Sequence, residues 1–248
     1  MERLTFLGFP VDNMTIAEAL AWIMDSVRLG QPRIILVSNA NKLWLASKDQ
    51  NLTSMLKEGD LIVPEYAITW GARRLGFSIN HVGGITLLQA FLPVAERHRI
   101  KLYFLGATAA VVGRLVQQLT KTYPRLLIAG HHHGYIQQKD IREMVVSDLK
   151  DKRPDVLFVA MGSPQQERFI REVQNIVSIP VMMGVGGSFD VLSGLKQDAP
   201  PWARGKGLEW VYRILQDPGN RKYYKRYLVT NVWFVFQIMR QIFGYSNL

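Results

Sequence analysis

Cysteine is absent from the 248-residue chain. Its absence excludes disulfides, thiolate metal sites and cysteine nucleophiles, and it fits a reducing compartment. The first 15 residues also lack the apolar run of a signal peptide, because Pro10 and Asp12 interrupt it early. No stretch reaches the roughly 18 apolar residues that a membrane-spanning helix needs. We therefore expect neither a cleaved leader nor a membrane-spanning segment.

Acidic residues are outnumbered: 20 Asp and Glu stand against 30 Lys and Arg, which gives a formal net charge of +10. The excess is concentrated near the C-terminus. Residues 196–248 hold nine Lys or Arg and three Asp or Glu, and so carry six of the ten net charges. A basic segment of this kind favours a polyanionic partner such as phosphates, nucleic acid or anionic lipid.

The rest of the chain has the composition of a packed globular protein, with 48% hydrophobic residues. Short apolar runs alternate with segments of helical periodicity, and the runs are continuous rather than alternating. That pattern predicts an α/β fold in which a Rossmann-like, mostly parallel sheet is covered by helices on both faces. The predicted strands fall within residues 33–40, 60–64, 100–107, 125–135, 155–164 and 180–194.

Two further predictions concern the ends of the chain. Residues 14–29 have apolar residues at helical spacing, and Thr15 followed by Glu18 predicts a capping box at the start of that helix. After about Ser193 the composition becomes rich in proline, glycine and charge. We therefore predict an α/β core over residues 1–195 and a basic helical appendage over residues 196–248.

Polar residues and glycines follow several of the predicted strands. In open α/β sheets, ligands bind beyond the C-terminal ends of the strands, so these positions predict a site built from several loops. They include Asn39, Glu65, Gly106, the histidines 131–133, the stretch 161–167 and the stretch 184–190.

The stretch "DLIVPEYAITWGARRLG" places Glu65 directly after an apolar run that stops at Pro64. Three interpretations fit a carboxylate there. It is a helix-start residue, a surface residue without a role, or a catalytic base at the edge of the sheet.

The stretch "AMGSPQQERF" combines a strand end at Gly162 with a predicted helix start near Gln165. The N–H groups of a helix start favour a phosphate or diphosphate, and Gln166 would then contact a sugar hydroxyl or a base edge. The alternative is ordinary capping by Ser163, with Pro164 at the first helical position.

The stretch "GVGGSFD" has three glycines followed by Asp190, which does not match the G-x-G-x-x-G pattern of dinucleotide-binding oxidoreductases. Its glycines still allow a phosphate to approach the backbone closely. A metal site at the three adjacent histidines 131–133 is poorly supported, since no matching ligand cluster lies nearby in the sequence.

The C-terminal 41 residues interleave basic and aromatic side chains. That mixture suits a membrane interface, and it also suits nucleic acid. A third interpretation is a pair of helices packed on the core or on another subunit. The apolar stretch 228–239 needs cover from either protein or lipid.

Eight blocks in the same order and at similar spacing resemble the WecG/TagA/CpsF family of bacterial glycosyltransferases. The blocks are "GFPVDNMT", "SNANKLWLA", "DLIVPEYAITWGARRLG", "YFLGA", "YPRLLIAGHHHGY", "VAMGSPQQE", "GVGGSFDVLSG" and "AP-W-----GLEWVYRILQDP". The resemblance implies transfer of a sugar, N-acetylmannosamine-like or a related hexose, from a UDP-sugar donor. The implied acceptor is linked to polyprenyl diphosphate, and the product belongs to cell-surface polysaccharide synthesis.

The resemblance also implies inversion at the anomeric carbon, with no metal and no other cofactor. It implies a cytoplasmic protein, peripheral on the inner face of the plasma membrane, whose appendage docks on anionic lipid and completes the site. A homo-oligomer is one further expectation, and a nucleic-acid partner is not expected.

The strand-end positions and the resemblance together define the candidate site. We predict Glu65 as the catalytic base. The predicted substrate-binding residues are Asn39, Gly106, Gly162, Ser163, Pro164, Gln166, Glu167, Gly186, Asp190, Arg213 and Arg221.

The chain departs from the resembled pattern at several of these blocks. Glu65 stands where the family has Asp, and Tyr66 where it has Gly. Gln165 replaces a Lys, Asp198 replaces a basic residue, and Thr86 replaces an Asp. A second hypothesis therefore stays open, in which the protein is a catalytically silent member that binds nucleotide or membrane.

Overall fold

A computed structural model of the chain describes residues 2–200, 203, 209–216 and 221–244. A six-stranded parallel sheet with the order β4-β3-β8-β7-β5-β6 forms its centre, and β1 and β2 form a separate antiparallel pair. The predicted α/β class is confirmed, because β3 to β8 correspond to the six apolar runs. The strands are β1 (Glu2–Phe6), β2 (Phe9–Asn13), β3 (Arg33–Ser38), β4 (Leu61–Pro64), β5 (Lys101–Gly106), β6 (Leu127–His132), β7 (Val156–Ala160) and β8 (Val181–Gly184).

Helices connect the strands and follow the last of them. The predicted capping box of the first helix is confirmed: the Thr15 hydroxyl accepts from the Glu18 N–H at 3.2 Å, and the Glu18 carboxylate accepts from the Thr15 N–H at 2.7 Å. Within the described residues the helices are α1 (Ile16–Leu29), α2 (Ala40–Ala46), α3 (Gln50–Glu58), α4 (Tyr66–Arg74), α5 (Gly84–His98), α6 (Ala109–Thr122), α7 (Lys139–Lys152), α8 (Gln165–Gln174), α9 (Ser188–Leu192), α10 (Glu209–Gln216) and α11 (Arg221–Ile242).

Both faces of the parallel sheet are buried, which explains why its strands are continuous apolar runs. Leu36 and Leu157 pack on one face, in a cluster with side chains of α2, α3, α7 and α8. Ile35 and Phe158, their neighbours along the strands, pack on the other face with side chains of α1, α5, α6 and α9. The alternation places two hydrophobic layers around a single sheet.

The β1–β2 hairpin was not predicted from the sequence, because its strands carry charged residues and a proline. Its attachment to the sheet depends on Asp12, which is fully buried. The Asp12 carboxylate accepts from Arg3 at 2.7 and 2.8 Å and from the Ile62 N–H at 2.7 Å. One carboxylate thus joins both hairpin strands to β4.

The C-terminal helix α11 packs with one face against α2 and α4. Phe234 and Ile238 are buried on that face, and the Phe234 ring lies 6.1 Å from the ring of Phe6. The close approach requires Gly71, because a Cβ there would lie 2.9 Å from Ile238 Cδ1. The buried face makes α11 part of the packed protein.

The opposite face of α11 is apolar and exposed. It carries Leu228, Val229, Val232, Val235, Phe236, Met239 and Ile242. No helix in the described part of the chain is both long enough and apolar enough to cross a bilayer. Residues 201–202, 204–208, 217–220 and 245–248 of the predicted appendage lie outside the described residues, and its boundary at residue 196 stays a prediction.

We predict that Asp12→Asn lowers the free energy of unfolding by about 2–3 kcal/mol, because the charge that receives three hydrogen bonds inside the protein is lost. Urea unfolding followed by circular dichroism measures this change. The control is Asp25→Asn, which removes a carboxylate from the exposed Arg28–Asp25 pair and should cost no more than about 0.5 kcal/mol. Equal losses in the two variants would contradict the anchoring role of Asp12.

Candidate active site

A cleft of about 820 Å³ opens at the C-terminal edge of the parallel sheet. Its wall is built from the segments that follow β3, β4, β7 and β8, and α11 contributes side chains from outside the sheet. The strands β3 and β8 are neighbours in the sheet, but the helices that follow them pack on opposite faces. The helix after β3, α2, packs on one face, and the helix after β8, α9, packs on the other. Such a reversal point is where open α/β sheets bind ligands.

The structure brings seven of the predicted site residues together in the cleft wall. They are Asn39, Glu65, Gly162, Ser163, Gln166, Gly186 and Asp190. They come from the segments after four different strands, and the sequence grouped them only because each follows the end of a predicted parallel strand.

Glu65 lies at the end of β4, where its N–H donates to the Ser38 carbonyl at 2.9 Å. It occupies the position before the first residue of α4, but its side chain makes no capping hydrogen bond. The side chain is half-buried and lines the cleft. Glu65 is therefore a helix-start residue by position, although its side chain does not cap the helix, and its role as a catalytic base stays a prediction.

The floor of the cleft contains a buried ion pair that the sequence did not reveal. Lys42, on α2, is 1% exposed, and its Nζ lies 2.8 Å from Oε1 of the fully buried Glu167. The same Oε1 accepts from the Ser163 hydroxyl at 3.0 Å and from Gln166 Nε2 at 2.8 Å. Three side chains, Lys42 from α2 and Ser163 and Gln166 from the segment after β7, therefore meet at one carboxylate oxygen of Glu167.

Gln166 extends this network to a third loop. Its Oε1 accepts from the Gly186 N–H at 3.0 Å. Gly184 makes room for the side chain, because a Cβ there would lie 2.7 Å from Gln166 Nε2. The glycine loop after β8 is thereby fixed to the start of α8.

Asn39 both lines the cleft and shapes it. Its Oδ1 accepts from the Lys42 N–H at 2.8 Å and so caps the start of α2. The cap fixes the backbone from which the Lys42 side chain reaches the Glu167 carboxylate. Asn39 is consequently part of the same arrangement as the buried pair.

The turn before α8 differs from the capping interpretation. The helix begins at Gln165, as predicted, but Pro164 occupies the capping position and no side-chain oxygen caps the helix. The Ser163 hydroxyl instead donates to Glu167. Anion binding at this turn stays a prediction.

Several predicted site residues lie outside the cleft wall. Glu167 is buried beneath it, and Pro164 lies at the start of α8. Gly106 lies at the end of β5, where a Cβ would come within 2.4 Å of the Ala160 carbonyl oxygen. Its role in the structure is the close contact between β5 and β7.

The structure describes the side chains of the histidines 131–133 but not those of the two predicted arginines. Arg213 and Arg221 belong to α10 and α11, and their side chains lie outside the described residues. His132 Nδ1 lies 2.8 Å from the backbone oxygen of His133. In the ranges that the structure describes, no three His, Asp or Glu side chains come together as a metal site would require.

The cleft also contains residues that the sequence did not single out as a site. Lys196 and Arg226 line it, and the Arg226 guanidinium lies 5.3 Å from the centre of the Tyr227 ring. The only sequence signal for Arg226 and Tyr227 was the basic and aromatic composition of the C-terminal segment. Tyr66 and His81 also line the cleft, on the side of Glu65.

The fold is that of open α/β proteins, a class in which ligands bind at the C-terminal edge of the parallel sheet, and the cleft lies at that edge. The chain belongs to the WecG/TagA/CpsF family of glycosyl transferases, whose sequence profile matches residues 4–247. This match confirms the resemblance found in the eight sequence blocks.

Two curated relatives carry the same name, N-acetylglucosaminyldiphosphoundecaprenol N-acetyl-beta-D-mannosaminyltransferase. The protein from Staphylococcus aureus strain MW2 is 33% identical over 219 residues, which cover 87% of this chain and 85% of the relative. The protein from Bacillus subtilis strain 168 is 30% identical over 187 residues, which cover 75% of this chain and 72% of the relative.

We predict strong coupling between Lys42 and Glu167. Lys42→Met and Glu167→Gln should each cost about 3 kcal/mol or more, because each leaves the other charge buried without its partner. The double variant should cost much less than the sum of the two single losses. Urea unfolding of the four proteins measures the coupling.

The control cycle uses the exposed Lys139–Glu143 pair of α7, where Lys139→Met and Glu143→Gln should couple by less than about 0.5 kcal/mol. If the losses of unfolding free energy at Lys42 and Glu167 were additive, as is expected for the control pair, the buried ion pair would be contradicted.

Proposed function

We propose that the protein is an inverting, metal-independent glycosyltransferase that moves an N-acetylmannosamine-like hexose from a UDP-sugar to a polyprenyl-diphosphate-linked acceptor. The observation that carries this proposal is the position of Glu65. Glu65 lines the cleft, and the glycine loop after β8 lines the same cleft. Membership of a glycosyltransferase family and the names of the relatives support the type of reaction and of acceptor.

The chemistry requires a base on one side of the reacting carbon. A single displacement inverts the anomeric centre, and its attacking hydroxyl must lose a proton as the new bond forms. Glu65 is the carboxylate we assign to this step. The C–O bond to the UDP leaving group breaks as the acceptor oxygen attacks, and the released proton passes to the Glu65 carboxylate.

The leaving diphosphate develops negative charge that the protein must stabilise. The glycine loop at Gly186 permits close approach of phosphate to the backbone. Lys196 and Arg226 bring positive charge to the same cleft. Arg213 and Arg221 are proposed to act there as well, on the basis of the family resemblance.

The α11 helix suggests how the enzyme meets a lipid-linked acceptor. Its inner face contributes Arg226 and Tyr227 to the cleft, and its outer face is a row of exposed apolar side chains. An exposed apolar face beside basic residues is suited to the interface of an anionic membrane. We propose that the outer face of α11 docks on the membrane and brings the cleft close to the acceptor.

We predict that Glu65→Gln lowers kcat by at least about 100-fold, because it removes the proton acceptor and keeps the side-chain size. The assay measures transfer from a panel of UDP-sugars to a short-chain prenyl diphosphate that carries N-acetylglucosamine. Glu65→Asp should also lower kcat, since it withdraws the carboxylate by one methylene.

The matched control is Glu143→Gln, which alters an exposed carboxylate on α7 and should leave turnover unchanged. Turnover by Glu65→Gln equal to that of the control would remove Glu65 from the mechanism. UDP binding by the unaltered protein without transfer from any donor would instead favour the catalytically silent member.

We predict that the double substitution Val232→Ser and Phe236→Ser weakens binding to vesicles of phosphatidylglycerol and phosphatidylethanolamine by at least about tenfold. Both side chains are exposed on the outer face of α11, so each substitution removes apolar surface that lipid would cover. Vesicle flotation measures the bound fraction. Truncation before α11 is a poorer test, because it would also remove the buried Phe234 and Ile238.

The control for this experiment is Met144→Ser, which removes an exposed apolar side chain from α7. It should leave vesicle binding unchanged. Equal binding by the double variant and the control would show that the outer face of α11 does not dock on lipid.

A further inference from the structure

Two aromatic rings are stacked in the cleft wall next to Glu65. The rings of Tyr66 and His81 lie 3.5 Å apart between centroids, and their planes differ by 14°. Both residues line the cleft, and both are half-buried. Tyr66 is also the position at which the resembled family pattern has glycine, so the stacked pair distinguishes this chain from that pattern.

The segment that carries His81 is fixed by hydrogen bonds on two sides. The Val82 N–H donates to the Pro64 carbonyl at 3.1 Å, which joins the segment to the end of β4. Two residues earlier, the Asn80 N–H donates to Asn13 Oδ1 at 3.0 Å, which joins it to β2. The imidazole is thus held in place by backbone contacts on both sides of residue 81.

Gly83 leaves space for the imidazole beside the predicted base. A Cβ at residue 83 would lie 2.7 Å from His81 Nε2 and 3.7 Å from Glu65 Cγ. Tyr66 directly follows Glu65 at the start of α4. The His81 imidazole and the Glu65 side chain therefore both border Gly83, and the Tyr66 ring stacks on that imidazole.

The strand order separates this aromatic pair from the loops assigned to the donor diphosphate. Glu65 follows β4, whereas the glycine loop follows β8, and β3 lies between these strands. Two strand spacings amount to about 10 Å. The stacked rings consequently lie at the end of the cleft where the acceptor hydroxyl must approach the base.

We propose that the Tyr66–His81 pair is a specificity-determining platform that binds the ring of the acceptor sugar next to Glu65. This inference rests on the proposed function, because it uses Glu65 as the base. Sugar-binding sites combine flat aromatic surface, which covers the C–H face of a pyranose, with a few polar groups that fix its orientation. Tyr66 supplies that surface, and His81 holds its ring in position.

The test compares Tyr66→Gly and Tyr66→Phe in the full chain. The glycine variant should raise the KM for the N-acetylglucosamine-bearing prenyl diphosphate about fivefold to tenfold, because the stacking surface is lost. The phenylalanine variant keeps the ring and should stay close to the unaltered protein. His81→Ala should shift the acceptor KM in the same direction as Tyr66→Gly.

The KM for the UDP-sugar and the dissociation constant for UDP, measured by calorimetry, should be unchanged in all three variants. Unchanged UDP binding also shows that each variant is folded. A rise in the donor KM, or no change in the acceptor KM, would overturn the platform.

A binding measurement separates failure of this inference from failure of the proposed reaction. In NMR spectra of the unaltered protein, the acceptor probe should shift the ring proton signals of His81, and it should not do so in Tyr66→Gly. Shifts of the His81 ring signals without sugar transfer would support the aromatic platform and contradict the proposed reaction. Sugar transfer without shifts of the His81 ring signals would support the proposed reaction and contradict the aromatic platform.

Discussion

The buried ion pair between Lys42 and Glu167 is the constraint on which the site depends. A charge inside a protein is costly unless an opposite charge lies beside it, so Lys42 Nζ and Glu167 Oε1, 2.8 Å apart, fix the position of each other. Oε1 of Glu167 also receives hydrogen bonds from Ser163 and Gln166. Through Gln166 the constraint reaches the backbone of Gly186. Segments that follow β3, β7 and β8 are thereby held in one arrangement before any ligand binds, which is the condition for stabilising charge in a transition state.

The C-terminal helix α11 has two different faces, and it also contributes side chains to the cleft. The inner face is packed on the core through Phe234 and Ile238, close to Gly71. The outer face exposes a row of apolar side chains, among them Val232 and Phe236, and such a contiguous apolar surface marks an interaction site. A helix that contributes to the cleft and also presents an apolar surface provides a physical link between the proposed membrane contact and the proposed site.

The sequence predicted those features that depend on local pattern. Continuous apolar runs predicted the parallel sheet, and Thr15 with Glu18 predicted the capping box. Residues at strand ends, such as Glu65, were expected in a common site because parallel strands end at the same edge.

Lys42 was missed because a lysine on a short helix normally faces solvent, and only the folded structure shows that it is buried against Glu167. The stacking of Tyr66 on His81 was missed because it depends on a loop held by β2 and β4. The hairpin was missed because the buried charge of Asp12 has no counterpart in a hydrophobic pattern.

Amide hydrogen exchange of the full chain, with and without UDP, is the most direct test that the network holds a nucleotide site. We expect slower exchange in peptides that cover residues 161–168 and 184–190 when UDP is added, and a much smaller effect of ADP at the same concentration. Exchange in peptides of β6 and α7 should not change. If UDP left exchange in the two loops unchanged, or slowed exchange only in β6 and α7, the two loops would not form the nucleotide site.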